Sequence, residues 1–96
     1  MDELETLREE IRGIDTELAR LFEKRMAVSA SVAAVKIRKN LPIYDAAREE
    51  ENIEALCGFL SDAANRPLFS KWYRLLMDAS KARQREIKDK QSCRNN

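Results

Sequence analysis

Arg25 occupies a position where the surrounding helix pattern calls for an apolar side chain, and Lys36 follows eleven residues later, about three helical turns along nearly the same face. Further on, Glu49 sits on an apolar stripe with Arg48 beside it, and Ser80 and Gln84 interrupt another stripe one turn apart. Polar groups turned toward packing faces need partners, and a guanidinium there is costly unless paired. Singly, each has an ordinary explanation. Arg25 fixes helix register or snorkels to water, and neighbouring carboxylates pair with any of the cations. Together they read as one polar cavity holding a ligand. Its cations outnumber Glu49, so the ligand is a small anion, and arginine forks suit carboxylates.

The rest of the composition narrows the chemistry. The chain has no histidine, so the usual acid/base near neutral pH and the commonest metal ligand are missing. Cys57 and Cys93 match no metal spacing or disulfide framework, and fit a reducing cytosol. No metal or cofactor is expected.

Three helices would position these residues. Apolar residues recur at Leu4, Leu7, Ile11, Ile14, Leu18, Leu21, Val28, Val32 and Val35 in alternating steps of three and four, a heptad seam broken only at Arg25. Asp2 and Glu5 form a capping box, and Pro42 stops the helix, which spans residues 3–39, roughly 55 Å. After a link at 42–44, Asp45 caps a second helix over 46–60, with Glu49, Ile53, Leu56 and Leu60 on one stripe. Residues 61–66 form a loop, and Pro67 opens a third helix over 67–88, with Phe69, Tyr73, Leu76, Ser80, Gln84 and Ile87 on its stripe. The expectation is one all-α domain over 1–90 and a disordered polar tail over 91–96. The shorter helices span about 22 Å and 33 Å and cannot cover the long seam. A second copy of the chain is the economical cover, giving an intertwined homodimer.

The net charge is +1, from 18 basic and 17 acidic residues, so no overall field draws the chain to nucleic acid or an anionic membrane. The start, Met-Asp-Glu-Leu-Glu, lacks the basic and apolar stretches of a signal peptide, and no apolar run approaches a membrane span. A cytoplasmic protein is expected.

The full pattern resembles the all-helical type II chorismate mutases over about residues 4–87. The resemblance rests on Arg8 in Leu-Arg-Glu-Glu-Ile, Arg25 in Glu-Lys-Arg-Met and Lys36 in Val-Lys-Ile. It continues through Asp45, Arg48 and Glu49 in Pro-Ile-Tyr-Asp-Ala-Ala-Arg-Glu, then Ser80 and Gln84. No single motif is specific, but the ordered set is. The resemblance implies rearrangement of chorismate to prephenate on the shikimate route to aromatic amino acids. Arg25 and Arg8 bind the two substrate carboxylates, and Lys36 and Gln84 donate to the ether oxygen. Glu49, with the Asp45 backbone region, holds the ring hydroxyl, while Arg48 and Ser80 complete the polar shell. Arg8 lies about 25 Å before Arg25 on one rigid helix, so it serves a partner's site if it serves one at all. Asn52 and Lys81 depart from the family, which more often places apolar groups there. They either point outward or wet the pocket. Three other readings are an isochorismate-pyruvate lyase of the same fold, a non-catalytic helical dimer or adaptor, and a module that came from a larger shikimate-pathway enzyme.

Overall fold

The computed structural model describes residues 2–94, and side chains through residue 91. Helix α1 spans Glu3–Arg38. Asp2 caps it by accepting the Glu5 N–H at 2.8 Å. The Glu5 carboxylate accepts from Arg8 at 3.2 Å, so the expected capping box is realised on its Asp2 side. The helix ends in a Schellman motif. Asn40 takes a left-handed φ of 56°, its N–H reaches the Ile37 carbonyl, and the Leu41 N–H reaches that of Lys36 at 2.7 Å. Pro42 follows the stop rather than causing it.

Helix α2 spans Ala46–Cys57, capped by Asp45, which accepts the Arg48 N–H at 3.2 Å. It ends three residues before the expected Leu60. Gly58 weakens helix propagation, and Phe59 and Leu60 close tighter three-residue turns onto the Leu56 and Cys57 carbonyls. The expected loop after it contains a short 3-10 turn at Ala63–Asn65, capped by Asp62. Helix α3 spans Arg66–Arg94 and outruns its expected end at Lys88. The tail expected from residue 91 is helical through Arg94. Arg83 pairs with Glu86 at 3.2 Å, and the run from 88 onward has no glycine or proline to stop it. Asn95 and Asn96 lie outside the described residues, as does the Cys93 side chain.

Helices α1 and α2 both pack against α3, α1 through its C-terminal half, where its buried residues Ser29 and Ala33 lie. The centre is small and as polar as it is apolar. Ala33, Ile53 and Met77 are buried there with Ser29, Ser80 and Gln84. Met77→Ala is therefore expected to cost about 2 kcal/mol or more in equilibrium urea unfolding, because few other apolar groups can collapse into the space. Residues 2–24 of α1 contribute nothing to this centre, and none of them is buried. The seam residues stand half-exposed, from 37% at Val35 to 59% at Leu21. The chain is accordingly long and thin, 61 × 28 × 15 Å. Among the described residues, no helix is long and apolar enough to cross a membrane.

Candidate active site

A cleft of about 280 Å³ opens where α1, the 39–45 link, α2 and α3 meet. From α1 it takes Arg25, Ser29, Val32 and Lys36, whose steps of four, three and four keep them on one face. The first turns of α2 and its cap supply Asp45, Arg48, Glu49 and Asn52, and α3 supplies Met77, Ser80, Lys81 and Gln84.

The contacts hold the polar groups in fixed directions. Arg25 donates to the Ser80 hydroxyl and to the Tyr73 hydroxyl at 3.2 Å, with its guanidinium carbon 5.4 Å from the Tyr73 ring centre. Lys36 Nζ donates to the Ile43 carbonyl at 2.8 Å, which ties the link back to α1. Gln84 Nε2 donates to both Ser29 oxygens, at 3.1 Å to the carbonyl and 2.8 Å to the hydroxyl. Every buried side-chain polar atom among the described residues has a partner.

Seven of the eight residues singled out in the sequence line this cleft: Arg25, Lys36, Asp45, Arg48, Glu49, Ser80 and Gln84. Arg8 does not. It is exposed in the free arm of α1 and pairs with Glu5 at 3.2 Å. Asn52 and Lys81, whose direction the sequence left open, both face the cleft. Ser29 and Tyr73 hold Gln84 and Arg25, yet neither stands out as a site residue in the sequence. Tyr73 passes for a member of an apolar stripe, and Ser29 lies beside the seam rather than on it.

The cleft lining carries four cations, Arg25, Lys36, Arg48 and Lys81, against the carboxylates of Asp45 and Glu49. Lys81 pairs with Glu49 at 3.1 Å, and Asp45 is engaged by the α2 N-terminus. Among the described residues, no carboxylate lies within ion-pair distance of Arg25, Lys36 or Arg48. Such a surplus in a concave, partly apolar site fits a ligand with two negative charges.

This helical architecture, with its cationic cleft, is that of the type II chorismate mutases. The model of that family matches residues 7–85, and the chain belongs to it. The matched span takes in all eight positions from Arg8 to Gln84. Two relatives share part of this span. The bifunctional chorismate mutase/prephenate dehydratase of Aquifex aeolicus is 39% identical over 56 residues, 58% of this chain and 16% of that protein. The T-protein of Haemophilus influenzae is 42% identical over 55 residues, 57% of this chain and 15% of that protein. The chain thus covers about a sixth of the length of either relative. No solved structure matches it.

Proposed function

We propose that the chain binds chorismate and rearranges it to prephenate, working as a homodimer whose two clefts each borrow Arg8 from the other subunit. The observation that carries the activity is the convergence of Arg25, Lys36, Arg48 and Gln84 on one cleft whose cations outnumber its carboxylates. The rearrangement is unimolecular. A C–O bond breaks as a C–C bond forms, and the ether oxygen gathers negative charge on the way. No nucleophile or proton acceptor is needed. The protein must hold the enolpyruvyl side chain over the ring and stabilise that oxygen.

Arg25, kept in place by Ser80 and Tyr73, takes one substrate carboxylate, and the partner's Arg8 takes the other. Arg48 and Ser80 complete the polar shell. Lys36 donates to the ether oxygen from one side. Gln84 donates from the other, one amide hydrogen shared by the Ser29 oxygens and the second turned to the substrate. Glu49 and the backbone around Asp45 receive the ring hydroxyl. That hydroxyl contact favours the mutase over the isochorismate-pyruvate lyase. The test is loss of chorismate absorbance with purified protein, run beside isochorismate. Prephenate from chorismate supports the reading. Pyruvate from isochorismate with chorismate untouched overturns it.

The dimer rests on surface area. The chain exposes 7803 Å², whereas a compact 11.1 kDa monomer exposes about 5,700 Å². Its radius of gyration is 17.3 Å against about 12.5 Å for a compact domain of this length. The excess lies along the seam of α1, and a second copy buries it.

Because Gln84 carries no titratable proton, turnover is expected to stay flat from about pH 5 to about pH 8. Gln84→Glu should behave otherwise. Its carboxyl donates to the ether oxygen only when protonated, so pH–rate profiles should show activity rising toward acid in the variant alone.

A further inference from the structure

Lys81 is the cation of the cleft that neither the family pattern nor the proposed chemistry uses. Its ammonium is enclosed on three sides. It donates to both Glu49 oxygens, Oε2 at 3.1 Å and Oε1 at 3.3 Å. It reaches Asp78 Oδ1 at 3.2 Å and sits 4.3 Å from the centre of the Tyr44 ring. These partners belong to α2, α3 and the link, so one charge joins three of the four segments that meet at the cleft. The side chains of Lys81 and Glu49 are 16% and 20% exposed, which sets this pair apart from the open Arg74–Glu50 bridge on the same two helices. Burial works to lower the Lys81 pKa, but the Glu49 and Asp78 carboxylates outweigh it and hold the ammonium above the ordinary lysine value. An ammonium has three N–H donors. Two carboxylates and an aromatic face occupy this one, so it is spent on protein groups rather than aimed at a ligand.

We infer that Lys81 is a positioning residue for Glu49: it fixes the Glu49 carboxylate in one rotamer at the cleft wall, where that carboxylate selects a ligand bearing a hydroxyl group. The inference rests on the mutase reading for the identity of that hydroxyl, the one on the chorismate ring. A contact present in both ground and transition states acts mainly through KM. Lys81→Met is expected to raise KM about tenfold while kcat changes by less than about threefold. Lys81→Arg, which keeps the charge, should recover most of the loss. In a Glu49→Gln background Lys81→Met should add little, because the group it positions no longer accepts as a carboxylate. A chorismate analogue lacking the ring hydroxyl should be handled alike with and without Lys81.

The experiment combines these kinetics with NMR couplings that report the Glu49 rotamer, single in the parent and averaged in Lys81→Met. Should Lys81→Met fail to fold by circular dichroism, Lys81→Gln serves for the same comparison. A Glu49 rotamer unchanged by loss of Lys81, or an equal loss in the Glu49→Gln background, overturns the inference. If the parent leaves chorismate untouched while the rotamer still averages without Lys81, the mutase reading falls and the positioning role stands.

Discussion

Lys36→Ala is expected to remove nearly all turnover while the protein stays folded. The two effects separate because the ammonium does little for stability. It lines the cleft half-buried, and among the described residues it donates to the Ile43 carbonyl alone, at 2.8 Å. Losing such a bond costs about 1 kcal/mol, since water reaches a half-buried carbonyl. The proposed rearrangement asks far more of it. The ether oxygen gains charge only as its bond to carbon stretches, so a donor aimed there acts on the transition state and not on bound substrate. Removing one preorganised donor of this kind costs about 3 kcal/mol or more, a hundredfold or greater fall in kcat. KM should move less. Steady-state kinetics with circular dichroism on the same sample check both halves. Near-normal kcat in a folded Lys36→Ala protein removes Lys36 from the ether oxygen.

Lys36 was legible in the sequence because it follows Arg25 by eleven residues on nearly the same helix face, and Arg25, Ser80 and Gln84 were legible for a second reason. Those three are polar residues at positions where a helical period demands an apolar one, and such a break has few structural explanations. The length of α1 was legible because a heptad seam and the Asn40-Leu41-Pro42 sequence are local signals, although the stop is made by the left-handed Asn40 and not by Pro42. The end of α2 was not. Its apolar stripe continues to Leu60, and only the conformation at Gly58 shows that the turn after Cys57 tightens. The end of α3 failed in the opposite direction. The polar run reads as a tail, although it has no glycine or proline and its Lys90, Gln91 and Arg94 are good helix formers once a long helix precedes them. The direction of Lys81 and Asn52 depends on how α2 and α3 rotate about their own axes. That rotation is set by Ile53 and Met77 entering the centre, and no single-helix pattern carries it. Ser29 and Tyr73 were hidden because a hydroxyl shows its use only beside its partner.

The position of Arg8 leads to the second large effect. One chain holds Arg8 and Arg25 about 25 Å apart on a continuous helix, so they cannot meet on one small dianion. If each site joins Arg25 of one subunit to Arg8 of the other, Arg8→Ala and Arg25→Ala are each strongly impaired as homodimers, for both sites then lack a carboxylate-binding fork. Charge-assisted contacts of this kind are worth about 1.5–3 kcal/mol each, a loss of about tenfold to more than a hundredfold. Unfolding the two variants together in equal amounts and refolding them yields about half heterodimers by random pairing. In a heterodimer the two lesions fall in one site, while the other receives an intact Arg25 from the Arg8→Ala chain and an intact Arg8 from the Arg25→Ala chain. Activity of the mixture should therefore return to about a quarter of the parent's, from two preparations that each keep about a tenth or less alone. A site confined to one chain predicts no recovery on mixing. An Arg8 that is a solvated arm residue paired with Glu5 predicts that Arg8→Ala is active before any mixing. Sedimentation of the refolded mixture, run beside the assay, ties recovered turnover to the dimer that must carry it.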